Sequence, residues 1–246
     1  MPIDPATPQL RLNVWSGPRN VSTALMYSFA QRADTRVVDE PLYAHYLRAT
    51  GVEHPGREQV LASQDADGAA VVRSVVLGPC DRPVLFLKQM AHHLVELDRD
   101  FLASCANVLL TRDPRDMLPS LAENIAQPVL RDTGYAAQLS ILEDLRRLGR
   151  EPVVLVASEL LKDPRAVLSQ LCARVGLRFE EAMLSWPAGA RPEDGVWAPH
   201  WYSSVHRSTG FAPWSPKDAP FPPRLRPLLA EVQPMYEQLS RLAIRA

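Results

Sequence analysis

Short apolar runs alternate along the chain with longer stretches of helical periodicity. Runs of strand length fall at Leu10–Trp15, Arg36–Val38, Val84–Leu87, Val108–Thr111 and Pro152–Ala157. Apolar spacing predicts helices over Val21–Arg32, Arg57–Asp65, Gly68–Leu77, His92–Leu97, Arg115–Ile125, Gly134–Leu148, Pro164–Val175 and Pro222–Ile244. Strands alternating with helices build βαβ units, so the expected class is α/β, a parallel β-sheet flanked by helices. Ligands of such sheets sit beyond the C-terminal strand ends. Gly17, Glu40, Lys88 and Arg112 all fall at predicted strand ends, on four separate segments. That agreement carries more weight than any one of them alone.

The 246 residues suit a single domain over 1–246. Residues 185–223 are rich in Pro and Trp and break the periodicity. Trp186, Trp197, Trp201, Tyr202, Phe211 and Trp214 make plain disorder a poor reading, so an ordered loop or lid is expected there. A C-terminal helix over 222–244 follows. Hydrophobic residues make up 46% and charged residues 22%, enough for a full core. A net charge of −1 argues against nucleic-acid binding through bulk charge. Cys80, Cys105 and Cys172 are scattered, as in a reducing compartment, and the histidines lack zinc spacing, so no metal is expected. No segment nears the roughly eighteen apolar residues of a membrane span, and the opening MPIDPATPQL lacks an apolar signal core. A cytoplasmic protein with no membrane partner is the expectation; the oligomeric state is not readable.

The stretch WSGPRNVSTAL, Trp15 to Leu25, joins a strand to a helix through a polar turn. Free backbone N–H groups at such a junction point at an anion. The Walker pattern is missing: Ser22, Thr23 and Ala24 stand where Gly, Lys and Ser/Thr belong. Arg19 supplies a fixed charge, Ser22 and Thr23 supply hydroxyls, and the amides of Asn20, Val21, Ser22 and Thr23 form a cradle that needs no metal. A plain strand–helix turn with a Ser/Thr cap is an equal reading of the loop by itself. A second junction, NVLLTRDPRDMLPS, puts Arg112 just after a strand and Ser120 on the following helix. Two anion sites on adjacent βα junctions fit a nucleotide phosphorylated at both ends of its ribose.

These residues resemble the sulfotransferases that use 3′-phosphoadenosine 5′-phosphosulfate (PAPS). Their 5′-phosphosulfate loop, P-[KR]-S-G-T-T, is similar to Pro18-Arg19-Asn20-Val21-Ser22-Thr23. Their 3′-phosphate motif, R-[ND]-P-[KR]-D-x-x-x-S, is matched at every fixed position from Arg112 to Ser120. SELLKDPRAVLSQLCARVGLRFEEAML, from Ser158, resembles a later family stretch. The resemblance implies a P-loop nucleotide-hydrolase-like sulfotransferase fold, PAPS as co-substrate without metal, and a small-molecule acceptor with a hydroxyl or amine. It also implies contacts to the nucleotide from Arg207, Ser208 and Gly210, by way of the family's R-K-G loop. The chain departs from the pattern in four places. Arg19 stands for the common catalytic Lys, Val21 for the loop Gly, Ser158 for a Tyr, and Met90 for the strand-end His.

Sulfuryl transfer needs positive charge on the leaving phosphate and a base for the acceptor proton. Arg19 is the candidate for the charge, and Lys88 aligns with a family Lys that touches the sulfuryl group. Glu40, His92 and His93 compete for the base. Glu40, at a strand end beside cations, is expected to have a low pKa and to orient the acceptor. His92, at a helix start, is expected to resist protonation. Asp39 reads better as a helix cap ahead of Pro41. Two rival functions remain: a P-loop small-molecule kinase using ATP, which lacks its Lys and magnesium ligand in register, and a catalytically silent nucleotide-binding protein.

Overall fold

The computed structural model describes residues 9–215 and 219–246. Residues 1–8 and 216–218, which include most of the opening decapeptide and part of the aromatic loop, lie outside the described residues.

In chain order the elements are β1 (Leu10–Ser16), α1 (Ser22–Phe29), β2 (Thr35–Asp39), α2 (Tyr43–Thr50), α3 (Arg57–Ser63), α4 (Gly68–Val71), β3 (Val84–Met90), β4 (Ala106–Thr111) and α5 (Pro114–Leu121). They continue with α6 (Leu130–Thr133), α7 (Tyr135–Arg147), β5 (Val153–Val156), α8 (Ala157–Lys162), α9 (Pro164–Arg174), α10 (Ala198–Trp201), α11 (Ser203–His206) and α12 (Arg226–Ser240). The strands form one sheet in the order β2-β3-β1-β4-β5, with every pairing parallel. The α/β class expected from the alternation is the one observed.

Both faces of the sheet are covered, which explains why the strands read as unbroken apolar runs. All seven residues of β3 are buried. Trp15, Leu85, Leu87 and Leu109 face α5, α7 and α12 on one side. Leu12, Val14, Phe86, Val108 and Leu110 face α1 and α9 on the other. The chain leaves β1 toward β2 and leaves β4 toward β5, in opposite directions. The C-terminal ends of β1 and β4 therefore border the switch point where such sheets open a crevice.

Several elements differ from the sequence expectation. β3 runs to Met90, so Lys88 lies inside the strand, two residues before its end. The helix expected over His92–Leu97 shrinks to one tight turn at Ala91–His93. β5 stops at Val156, and α8 begins at Ala157, inside the expected strand. The C-terminal helix proper is shorter, at Arg226–Ser240. Its tail turns so that the Ile244 N–H donates to the Val154 carbonyl at 3.0 Å, beside β5. Helix α2 has no counterpart in the expected elements.

Candidate functional site

The loop after β1 is shaped by its own side chains. Arg19 has φ 51°, a left-handed conformation uncommon for a residue with Cβ. The Arg112 guanidinium holds it there by donating to the Arg19 carbonyl at 2.5 Å. Asn20 ties the loop to β4, donating to the Leu110 carbonyl at 2.9 Å, and its oxygen takes the Val21 N–H at 2.8 Å. Gly17 passes so close to Gly134 (φ 80°) that a Cβ on Gly134 would meet the Gly17 Cα at 3.1 Å. No side-chain oxygen caps α1, whose first turn carries Ser22 and Thr23, both buried and both lining the crevice. Free amides, two hydroxyls and an Arg therefore share one concave surface.

The second junction closes on the first. The Arg19 Nε donates to the Ser120 hydroxyl on α5 at 3.0 Å. Asp113 caps α5 by accepting the Arg115 N–H at 2.8 Å, and Pro114 begins the helix. Burial disfavours the charge on Arg112, and the neighbouring Arg19 cation adds to that, against the pull of Asp116. Two guanidiniums gathered beside uncapped amides fit phosphate or sulfate oxygens.

Deeper in the same cavity, of about 450 Å³, lies an ionic cluster. Lys88 on β3 donates to Asp39 at 2.9 Å, to Tyr202 Oη at 2.6 Å and to Glu40 in a very short contact. Asp39 also takes the Tyr202 hydroxyl at 2.8 Å and the Gly195 N–H at 3.2 Å. Trp197 Nε1 donates to Tyr202 Oη at 3.0 Å. Glu40 follows β2 with φ 40°, its N–H bonded to the Lys88 carbonyl at 2.8 Å. Asp39 is thus an internal partner of Lys88 and not the helix cap expected from sequence; α2 starts at Tyr43 with no side-chain cap.

Charge counting explains the electrostatics. One buried ammonium faces two buried carboxylates, so one negative charge is uncompensated. Burial pushes the Glu40 pKa above the ordinary carboxylate range, Asp39 adds to the rise, and Lys88 opposes it without winning. The low pKa expected for Glu40 is therefore wrong: the strand-end cation is already shared. Burial also works against the Lys88 charge, but Asp39 and Glu40 overcome it and raise its pKa. With Asp39, Glu40 and Tyr202 taking its bonds, Lys88 is committed to holding the carboxylates.

The histidines sit against this cluster. His93 stacks on Tyr43 and Tyr46, each with ring centroids 4.7 Å away. Its Nδ1 has no hydrogen-bond partner and lies 3.9 Å from Glu40 Oε2, too far for a bond. Burial drives the His93 pKa well below the usual value and that of His92 down to about 3. The expected resistance of His92 to protonation is present, but burial causes it and no helix dipole is needed. His54, bonded to the Tyr43 hydroxyl at 2.9 Å, is lowered too by burial.

The aromatic segment brings Trp197, Trp201 and Tyr202 to the cavity through α10 and α11. The buried side chain of Asp194 fastens it to α1 by accepting the Tyr27 hydroxyl at 2.7 Å, and within the segment it meets His206 Nε2 at 2.9 Å. Of the sequence candidates, Arg19, Asn20, Val21, Ser22, Thr23, Glu40, Lys88, His92, His93, Arg112, Ser120, Ser208 and Gly210 all line the one cavity. Arg207 does not; it is exposed outside the lining. Ser208 takes the Trp186 Nε1–H at 3.1 Å and donates to the Val205 carbonyl at 2.7 Å. Sequence reasoning missed Tyr43, Tyr46, His54 and Asp132 as cavity residues and gave Trp197, Trp201 and Tyr202 only as loop anchors. Among the described residues no group of three or more His, Cys, Asp or Glu could hold a metal ion, and no helix is long and apolar enough to cross a membrane.

A family model described as "Sulfotransferase domain" matches residues 10–243. Two curated relatives are the branched-chain-amino-acid aminotransferase-like proteins 1 and 2 of Arabidopsis thaliana, 42% and 40% identical over 231 residues. Those matches cover 93% of this chain but only 41% of each relative, so the chain spans about two fifths of their length. Among solved structures, the sulfotransferase domain of the Synechococcus PCC 7002 olefin synthase is similar at TM-score 0.55 and 17% identity, covering 95% of this chain and 98% of that one. A sulfotransferase from Alicyclobacillus acidocaldarius is similar at TM-score 0.55 and 17% identity, covering 97% of both chains.

Proposed function

The chain belongs to the sulfotransferase domain family, and from that premise we propose that it transfers a sulfuryl group from PAPS to a small acceptor without a metal. The observation that carries the reading is the Arg19–Ser120 bond, with Arg112 on the Arg19 carbonyl. These contacts join the two junctions where a 5′-phosphosulfate and a 3′-phosphate would be held. In this reading the amides of Ser22 and Thr23 and the Arg19 guanidinium receive the 5′ end; the Val21 N–H is already taken by Asn20. Arg112 and Ser120 receive the 3′-phosphate, with Ser208 and Gly210 beside the nucleotide. Arg207 lies outside the cavity, so its contact would require the segment to move.

The chemistry follows from the charge layout. As the sulfur–oxygen bond breaks, negative charge grows on the bridging oxygen, where the Arg19 cation and helix amides stabilise it. Glu40 lines the cavity as a buried carboxylate of raised pKa, which makes it a stronger base than an exposed one. It takes the acceptor proton. Lys88 holds Glu40 in place, and the buried histidines shape the wall instead of acting as base. The 185–223 segment acts as the lid of a single domain, in a reducing compartment suited to the free Cys80, Cys105 and Cys172.

Thermal shift with 3′,5′-adenosine bisphosphate, in chelator, tests the reading. Stabilisation without metal is expected, since a ligand that binds only the native state raises its stability. Stabilisation by Mg-ATP alone would favour a kinase. Binding with no transfer to any acceptor would favour a silent nucleotide binder.

A further inference from the structure

The cavity is lined by cations and carboxylates together. Arg19 and Arg112 stand at its loop. Glu40 lines it beside Lys88, with Asp39 just behind, and Asp132 lines it within reach of Tyr46 and His54. Against these three carboxylates stands one buried cation, Lys88, bonded to two of them. The nearby histidines do not help, because burial keeps His54, His92 and His93 uncharged. Asp132 has a neighbour in Arg131 at 3.6 Å, but that side chain is 75% exposed and screened by water. The Asp132 charge reaches inward, where it acts on Tyr46 and His54.

Aromatic surface lies between the carboxylates. Tyr43, Tyr46 and Trp197 line the wall and are buried. Trp201 lines it as well, is only half-buried, and among the described residues stacks on no other ring. An indole face beside uncompensated carboxylates attracts a cation through the ring quadrupole as well as through charge. A neutral guest would leave the buried negative charge unanswered, and an anionic one would be repelled.

We infer that the acceptor end of the cavity takes a small alcohol or phenol that also carries a cationic nitrogen. The nitrogen lies between Trp201 and Asp132, and the hydroxyl faces Glu40. The inference rests on the sulfotransferase reading and names its acceptor class. In the step itself, the acceptor oxygen forms a bond to sulfur while the bond from sulfur to the phosphate oxygen breaks. The electron pair stays on adenosine bisphosphate, and the hydroxyl proton passes to Glu40. The cation also favours the ionised form of Glu40, so the right acceptor helps to charge its own base.

Matched probes test this with the 246-residue protein, saturated in adenosine bisphosphate for the binding measurements. Choline is set against its neutral isostere 3,3-dimethylbutan-1-ol, and tyramine against 4-ethylphenol and 4-hydroxyphenylacetate. Calorimetry on the saturated protein reads binding, and transfer from labelled PAPS, assayed separately without added adenosine bisphosphate, reads turnover. In at least one set the ammonium member should bind about tenfold tighter than its neutral partner, the scale of a desolvated cation–π contact. Trp201→Leu and Asp132→Asn should each cut that ratio severalfold while adenosine bisphosphate binds as before. Equal binding of neutral and ammonium members overturns the inference, as does preference for the carboxylate or failure of every ammonium probe. Failure of adenosine bisphosphate itself to bind would instead overturn the donor reading beneath it.

Discussion

Lys88, near the end of β3, donates to the hydroxyl of Tyr202 at 2.6 Å across 114 residues of sequence. That hydroxyl donates in turn to Asp39 at 2.8 Å and accepts from the Trp197 indole N–H at 3.0 Å. The aromatic segment therefore completes the ionic cluster inside the sheet. Where the segment sits and how Glu40 is charged are linked through these bonds.

Removing that hydroxyl should loosen both. Tyr202→Phe strips a partner from Lys88, Asp39 and Trp197, all buried. Leaving such groups unpaired costs about 1–3 kcal/mol. Urea unfolding should show a loss of that order, and turnover should fall more than nucleotide affinity. Stability unchanged within about 0.5 kcal/mol would mean that the cluster does not depend on the segment.

Arg112→Ala should weaken adenosine bisphosphate by about 1.5–3 kcal/mol, the scale of a hydrogen bond to a charged group. Adenosine 5′-phosphate, lacking the 3′ group, should lose less. Some loss for both is expected, because Arg112 also holds the Arg19 carbonyl at φ 51°. Calorimetric losses equal for the two nucleotides would remove the 3′-phosphate from Arg112.

The architecture was readable because buried parallel strands leave apolar runs and strand ends leave Gly, Glu and Arg at their borders. The run from Arg112 to Ser120 has fixed spacing across one strand–helix junction, so it is legible without a structure. Helix α2 did not, because Tyr43, His45 and Tyr46 are buried residues whose types do not mark an apolar face clearly. Val153–Ala157 is apolar throughout, so nothing in it signals where strand becomes helix. The partnership of Asp39 with Lys88 and Tyr202 joins three distant segments, and no local spacing records it. The raised Glu40 pKa is hidden from the sequence for the same reason: it comes from burial and from a cation, Lys88, shared with Asp39.

Glu40→Gln should lower turnover by roughly 10²–10⁴-fold, the usual contribution of a positioned base, with adenosine bisphosphate binding retained. The pH profile gives a sharper reading. Glu40 works only when ionised, and its pKa stands above the ordinary 4.5. The wild-type rate should therefore fall as pH drops through a value above 4.5, and the Gln variant should lose that acid limb. His92→Ala that abolishes turnover while Glu40→Gln does not would move the base to the histidine.

His93 supplies a test by stability alone. In the unfolded chain it takes a proton near its ordinary 6.5; folded and buried, it refuses one until well below that. Between those two values the unfolded state binds more protons, so stability falls as pH falls. The effect is absent above about pH 7 and grows by at most about 1.4 kcal/mol per pH unit below 6.5. Glu40 works the other way, since its raised pKa lets the folded state take a proton early as pH falls. A comparison at a single site separates the two. His93→Phe keeps a flat ring against Tyr43 and Tyr46, removes an Nδ1 that has no partner, and cannot titrate. At pH 7.5 the variant should be as stable as the wild type or slightly more so. At pH 5 it should exceed the wild type by up to about 2 kcal/mol, the linkage accumulated over one and a half pH units. Urea unfolding at both pH values measures the difference. Parallel stability curves for the two proteins would show that His93 is protonated inside the fold, paired with Glu40, and that the wall of the cavity carries a charge.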